Sequence, residues 1–273
     1  MLIGVVGKPS VGKSTFFKAA TLADVEIANY PFTTIEANEA VAFVKIDCAD
    51  KDFGKQCNPR TGYCMNHKRF VPFKLVDVAG LVPDAHLGKG RGNQFLEDLR
   101  EADALIHVID TSGSVNAHGE PVPTGSYDPA EDIKFLEVEL DMWYFGVLSK
   151  GWEKFARATQ QEGNSIHKAL AKQLSAFKVT EDLVKEGMAS LQLSQKPMEW
   201  SEEQLKNIAT FLRKKTKPMI IAANKIDVPV GSENYYQLVK QFPDYTIIPC
   251  SAESEVALRE AAKKKFEQFV FKD

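Results

Sequence analysis

Residues 7–15 read GKPSVGKST, directly behind the apolar run LIGVVG at 2–7. The spacing G-x-x-x-x-G-K-S dictates a strand, a tight glycine-permissive loop and a helix, in that order. Gly7 and Gly12 let backbone N–H groups curl around an anion, and the helix that follows turns its positive end toward it. Gly7, Lys8, Pro9, Ser10, Val11, Gly12, Lys13, Ser14 and Thr15 are therefore the predicted phosphate cradle. Lys13 would bridge the terminal phosphates, and Ser14 would ligate Mg²⁺. A chance turn is the competing reading, and the strand-before, helix-after context argues against it.

Four more apolar runs read as strands: FKLVDV (73–78), LIHVID (105–110), MIIAAN (219–224) and YTIIPCSA (245–252). Helical patterns at 13–23, 93–102, 235–242 and 254–270 separate them. Alternation of this kind implies right-handed crossovers and an α/β fold of the P-loop NTPase type, a doubly wound, mostly parallel sheet. NEAVAFVKI (38–46) is predicted to form a hairpin with 70–77. The interval from residue 110 to residue 219 is far longer than the roughly dozen residues a crossover needs. A Pro/Gly-rich linker at 112–129 opens it, and helical stripes follow. They run through Ile133, Leu136, Leu140, Trp143, Tyr144 and Val147, then Ile166, Leu170, Leu174 and Phe177, then Leu205, Ile208, Ala209 and Leu212. Ser201 and Gln204 form a capping box with Trp200 and Leu205 as its hydrophobic staple. The expected domains are 1–115 with 216–273, carrying a cysteine-bearing hairpin insertion at about 47–69, and an inserted helical domain with its linker at 116–215.

Three strand ends carry the remaining chemistry. In DVAG (77–80), Asp77 would hold Mg²⁺ through a water and the Gly80 N–H would meet the γ-phosphate. In NKID (224–227), with Asn224, Lys225 and Asp227, the carboxylate can accept from two adjacent N–H donors, which guanine offers and adenine does not. SAE (Ser251, Ala252, Glu253) would present backbone N–H groups to guanine O6. The order of these motifs predicts GTP and GDP, with Mg²⁺, as the ligands.

Composition excludes rather than selects. Thirty-four Lys and Arg against 37 Asp and Glu leave a net charge of −3, so no electrostatic footprint for DNA exists and direct DNA binding is not expected. No apolar run reaches the roughly 18 residues of a membrane span, and the expected location is cytoplasmic. Cys48, Cys57, Cys64 and His67 fall close together, whereas Cys250 is distant. No standard zinc spacing is present, and only Cys64-x-x-His67 comes near one, so loop thiols are the default reading and bound metal the alternative.

With these motifs in order the sequence resembles the YchF/Ola subfamily of Obg-related GTPases. The resemblance is carried by ANYPFTTIEAN (28–38), DVAGLVPDAHLGKGRGNQFLEDLREADALIHVID (77–110) and the helical insertion before NKID. It implies a Ras-like G domain with a coiled-coil-like insertion, Mg²⁺-dependent hydrolysis, and work around ribosomes or translation. It also implies Thr34, with Thr33 as the near alternative, as the threonine that closes on Mg²⁺ and the γ-phosphate.

Three departures matter. Many members carry glutamate at the guanine-reading position and prefer ATP, whereas this sequence keeps Asp227. Ser10 stands where relatives commonly have a potassium-seating asparagine. Members continue into a C-terminal TGS domain, whereas this sequence stops at Asp273, so that module is absent or lies beyond it.

Leu81 follows the DVAG glycine, where fast GTPases place a water-orienting glutamine. Slow intrinsic hydrolysis is expected, and the chain is read as a molecular switch. His86 and His107 are the in-chain candidates for positioning the water; a solvent-facing loop residue and a hydrogen-bonded core histidine are their plainer readings. A P-loop phosphotransferase and a nucleotide-stabilised scaffold are the rival functions.

Overall fold

The computed structural model describes residues 1–21, 39–78 and 99–263. One seven-stranded sheet organises them in the order β2-β4-β1-β5-β6-β7, with β3 paired to β4. The strands are β1 (Leu2–Val6), β2 (Glu39–Asp47), β3 (Tyr63–Met65), β4 (Lys68–Asp77), β5 (Ala104–Asp110), β6 (Met219–Asn224) and β7 (Ile247–Pro249). From β4 to β7 every neighbouring pair is parallel, whereas β2 and β3 run antiparallel to β4. The helices are α1 (Lys13–Thr21), α2 (Ala130–Ser149), α3 (Trp152–Gln161), α4 (Ile166–Gln173), α5 (Glu181–Ser190), α6 (Glu202–Thr216), α7 (Pro229–Gln241) and α8 (Ala252–Lys263), with α2 to α6 following one another between β5 and β6.

β1 sits in the middle because its residues suit both faces. Val5 and Val6 are fully buried on opposite sides, and Gly4 leaves just enough room for Leu105, whose Cδ2 would lie 3.2 Å from an added Cβ. The expected hairpin is present and longer than anticipated, running in register from Glu39↔Val76 to Asp47↔Lys68. The last strand is shorter than the apolar run suggested. Pro249 ends it, as suits an edge position where the missing N–H costs nothing, and Ile248 is exposed there.

The insertion has its own core, built from Tyr144, Leu148, Trp152, Leu170, Val184, Ile208 and Leu212 among others. Its capping box forms as expected, and Trp200 stacks on Trp152 with ring centroids 5.4 Å apart. The passage from the sheet core to the insertion core falls within α2, which serves both. Ala130 and Ile133 pack with Ile109 and Ile221, and Leu136 and Leu140 pack with Val6 and Leu105. Only beyond them do Tyr144 and Leu148 enter the insertion. Each buried leucine or isoleucine among them contributes about 1.5–3 kcal/mol, so one continuous helix fastens the insertion to the sheet. Arg213 of α6, 2% exposed, completes the clamp by donating from Nε to Asp141 Oδ1 on α2 at 2.6 Å. The Tyr144 hydroxyl meets Thr216 at 2.8 Å.

Candidate functional site

β1 has β4 on one side and β5 on the other, so the strand order turns there, with β2 and β4 to one side and β5, β6 and β7 to the other. Such a switch point opens a crevice at the carboxyl ends of the strands, where ligands bind in open α/β sheets. The loop 7–12 crosses this point. Gly7 (φ +154°) passes so near β5 that an added Cβ would stand 2.4 Å from the Val108 carbonyl. Gly12 (φ +89°) is equally confined, with Asn224 Nδ2 2.4 Å from a Cβ there. Ser10 takes a left-handed conformation at φ 65°. α1 then starts at Lys13 with no acidic residue in its first turn, leaving its positive end open to an anion.

Side chains converge beneath this loop. Lys13 Nζ lies 2.6 Å from Asp77 Oδ1, and Ser14 Oγ donates to Asp77 Oδ2 at 3.0 Å. The distant sequence pieces GKS and DVAG thus meet where β4 ends. A hydroxyl and a carboxylate side by side are hard oxygen donors of the kind that suits Mg²⁺.

The NKID segment ties three loops together. Buried Asn224 donates from Nδ2 to the Val11 carbonyl (2.8 Å) and accepts at Oδ1 from the Ala252 N–H (2.9 Å). One side chain therefore fixes the phosphate loop against the SAE turn. Removing it would strand two polar groups at about 1–3 kcal/mol each. It also commits the Ala252 N–H, one of the groups expected to face the base. Ser251 Oγ bonds Ser254 Oγ at 2.8 Å, and Glu253 is exposed at the start of α8. Lys225 (φ 63°) reaches back over the loop, with Nζ 3.4 Å from the Ser10 carbonyl. The Asp227 carboxylate is exposed just beyond.

Two supports escaped the sequence reading. Asp110, at the end of β5, is 1% exposed and accepts from Ser112 N (3.0 Å), Ser112 Oγ (2.5 Å), Ser114 Oγ (2.8 Å) and Lys225 Nζ (2.9 Å). Burial alone would raise its pKa, but the hydrogen bonds from Ser112, Lys225 and Ser114 outweigh it and hold the carboxyl below the usual range. An aspartate at a strand end with serines two and four residues on was the available signal. The second support is the Lys8 side chain, which does not face the phosphate cradle. It is buried, paired with Asp132 Oδ1 at 2.9 Å, bonded to the Val115 carbonyl at 2.8 Å and set over the Tyr127 ring at 3.7 Å. The linker 112–129 is thereby folded onto the phosphate loop, with Gly119 touching Pro9.

His107 lies in β5 at 2% exposure, and its Nδ1 has no hydrogen-bond partner. Burial, and then the charge of Lys8, push its pKa down to about 3. Near pH 7 it is a neutral core residue, and the hydrogen bond expected of a core histidine is missing at Nδ1. Its consequence is for stability. The unfolded chain takes up a proton as pH falls through about 6.5, whereas the folded chain refuses it until about 3. Stability from this group is complete above pH 6.5 and is lost at up to about 1.4 kcal/mol per pH unit on acidification. Urea unfolding at pH 7 and pH 5.5 should show a smaller acid loss for His107→Phe than for the parent chain. Thr34, Thr33, Gly80, Leu81 and His86 lie outside the described residues.

With this geometry in view, two families match. Residues 2–137 match "50S ribosome-binding GTPase", and residues 222–271 match "Obg-like GTPase YGR210-like, G4 motif-containing domain". An uncharacterized GTP-binding protein of Methanocaldococcus jannaschii is 52% identical over 262 residues, 96% of this chain and 65% of that protein. The ribosome-binding ATPase YchF of Bacillus subtilis is 30% identical over 278 residues, 96% of this chain and 69% of that protein. The chain belongs to the YchF family of Obg-like GTPases. As a YchF-family chain it also resembles the crystal structure of a GTP-binding protein from Pyrococcus horikoshii, with a TM-score of 0.82 and 40% identity over 99% of this chain and 70% of that one. The Schizosaccharomyces pombe YchF GTPase aligns with a TM-score of 0.52 at 25% identity, over 97% of this chain and 70% of that one. This YchF-family chain spans 65% and 66% of the length of two of its curated relatives.

Proposed function

We propose that this chain binds GTP and GDP with Mg²⁺, hydrolyses GTP slowly, and acts as a nucleotide-controlled switch on the ribosome or another translation component. The observation that carries the reading is Asn224, which locks the phosphate loop to the SAE turn three residues before the exposed Asp227. In that place the Asp227 carboxylate accepts from guanine N1–H and N2–H. The backbone N–H groups of the loop and the Lys13 ammonium hold the phosphates. Ser14 would ligate Mg²⁺ and Asp77 would hold it through a water, the ion neutralising charge on the β- and γ-phosphates when bound. Thr34 and Gly80 are proposed to sense the γ-phosphate. Leu81 cannot orient water, so hydrolysis is slow, and His86 remains the in-chain candidate for assisting it.

The ribosome enters through relatives named ribosome-binding ATPases. The chain should release inorganic phosphate from GTP with no acceptor present, and it should sediment with ribosomes differently in GDP and in a non-hydrolysable GTP analogue. Phosphate transfer to a small molecule without free phosphate release would make it a phosphotransferase. Identical sedimentation in both nucleotides would make it a scaffold, since switching requires differential affinity.

A further inference from the structure

At the far end of the β2–β4 hairpin three thiols come together. Cys48 follows β2, Cys57 lies in the connecting loop and Cys64 lies in β3, and their sulfurs are all within 4.8 Å of one another. Strand register does this. The last β2–β4 pair is Asp47↔Lys68, the Cys48 N–H bonds the His67 carbonyl at 2.9 Å, and Cys64 pairs with Arg69. Asp50 supports the cluster, accepting from the Cys57 N–H at 2.7 Å and from Cys64 Sγ at 3.5 Å while facing His67 Nδ1 at 2.9 Å. Arg69 donates to Cys57 Sγ at 3.7 Å. The loop around them has no apolar reason to hold this shape: residues 51–56 are exposed, and Phe53 is 76% exposed.

We propose that Cys48, Cys57 and Cys64 bind one structural zinc ion, with His67 as the fourth ligand. Three sulfurs at about 2.3 Å from a tetrahedral zinc stand about 3.8 Å apart, so closing the cluster needs movements of at most about 1 Å. Thiolates select zinc over the hard cations suited to the nucleotide site. Each thiol gives up its proton on coordination, and the binding free energy stabilises a loop that lacks a core. The His67 ring nitrogens are not among the atoms that lie within 4.8 Å of one another, so this side chain, 44% exposed, turns to reach the ion. Its pairing with Asp50 is the carboxylate–histidine arrangement that orients metal-bound imidazoles. β4 separates the cluster from Asp77 by ten residues, about 30 Å, so this ion takes no part in phosphate chemistry.

The test is metal analysis of the full chain purified under reducing, anaerobic conditions without chelator. One zinc per chain is expected. Cobalt(II) substitution should give sulfur-to-metal charge-transfer absorption and the visible bands of a tetrahedral site. Cys57→Ser and Cys64→Ser should each lower zinc affinity more than tenfold. His67→Ala should keep the charge-transfer band and alter the visible bands, whereas unaltered bands would overturn His67 as the ligand. Should the serine variants fail to fold, the parent chain still decides. A chain that carries no zinc, gives no cobalt–thiolate spectrum and titrates as four free thiols overturns the site. GTP binding is measured independently, so the outcome leaves the nucleotide reading untouched.

Discussion

Asp227→Ala is expected to lower GTP affinity by about a hundredfold to ten-thousandfold while leaving ATP affinity nearly unchanged. Hydrogen bonds to an ionised acceptor contribute about 1.5–3 kcal/mol each, and guanine offers two to this carboxylate. The parent chain's preference has the same origin, because a site built to hydrogen-bond a group rejects analogues lacking it by about 10⁴–10⁵. Asp227 is exposed, and the turn beneath it is held by backbone, the Val228 N–H bonding the Lys225 carbonyl at 3.2 Å. The variant should therefore unfold at nearly the parent temperature, separating lost recognition from lost structure. Titration of both nucleotides into parent and variant by calorimetry makes the comparison.

Lys13→Met should reduce GTP hydrolysis by about 10²–10³-fold, the typical cost of removing one preorganised group aimed at developing charge. Methionine retains the stem and the helix propensity of α1 and removes only the ammonium. In the parent that ammonium lies 2.6 Å from Asp77, so the variant also removes this carboxylate's ion pair and leaves its bond from Ser14 Oγ. Single-turnover assays at saturating GTP read the effect on the chemical step, and circular dichroism checks the fold.

Local chemistry was legible in the sequence, and closure in space was not. GKPSVGKST, DVAG and NKID could be read because each binds a ligand through groups within a few residues, at strand ends that apolar runs announce. The capping box at Ser201 was legible for the same reason. Asp110 was not, because its partners include Lys225, brought to it by the β5–β6 pairing. Lys8 fits the phosphate motif by position, yet its side chain turns to Asp132, in a helix more than a hundred residues on. The three cysteines match no zinc spacing because hairpin register, rather than a short knuckle, brings them together. The double role of α2 was hidden too, since one unbroken apolar stripe does not reveal where it passes from one core to another.

Relatives of this chain carry both GTP-binding and ATPase names, which makes the choice of purine the central question. Calorimetric titration of the unmodified chain with GTP and with ATP, at equal Mg²⁺, answers it most directly. GTP should bind at least a thousandfold tighter; comparable affinities for the two would contradict Asp227 as the reader of guanine.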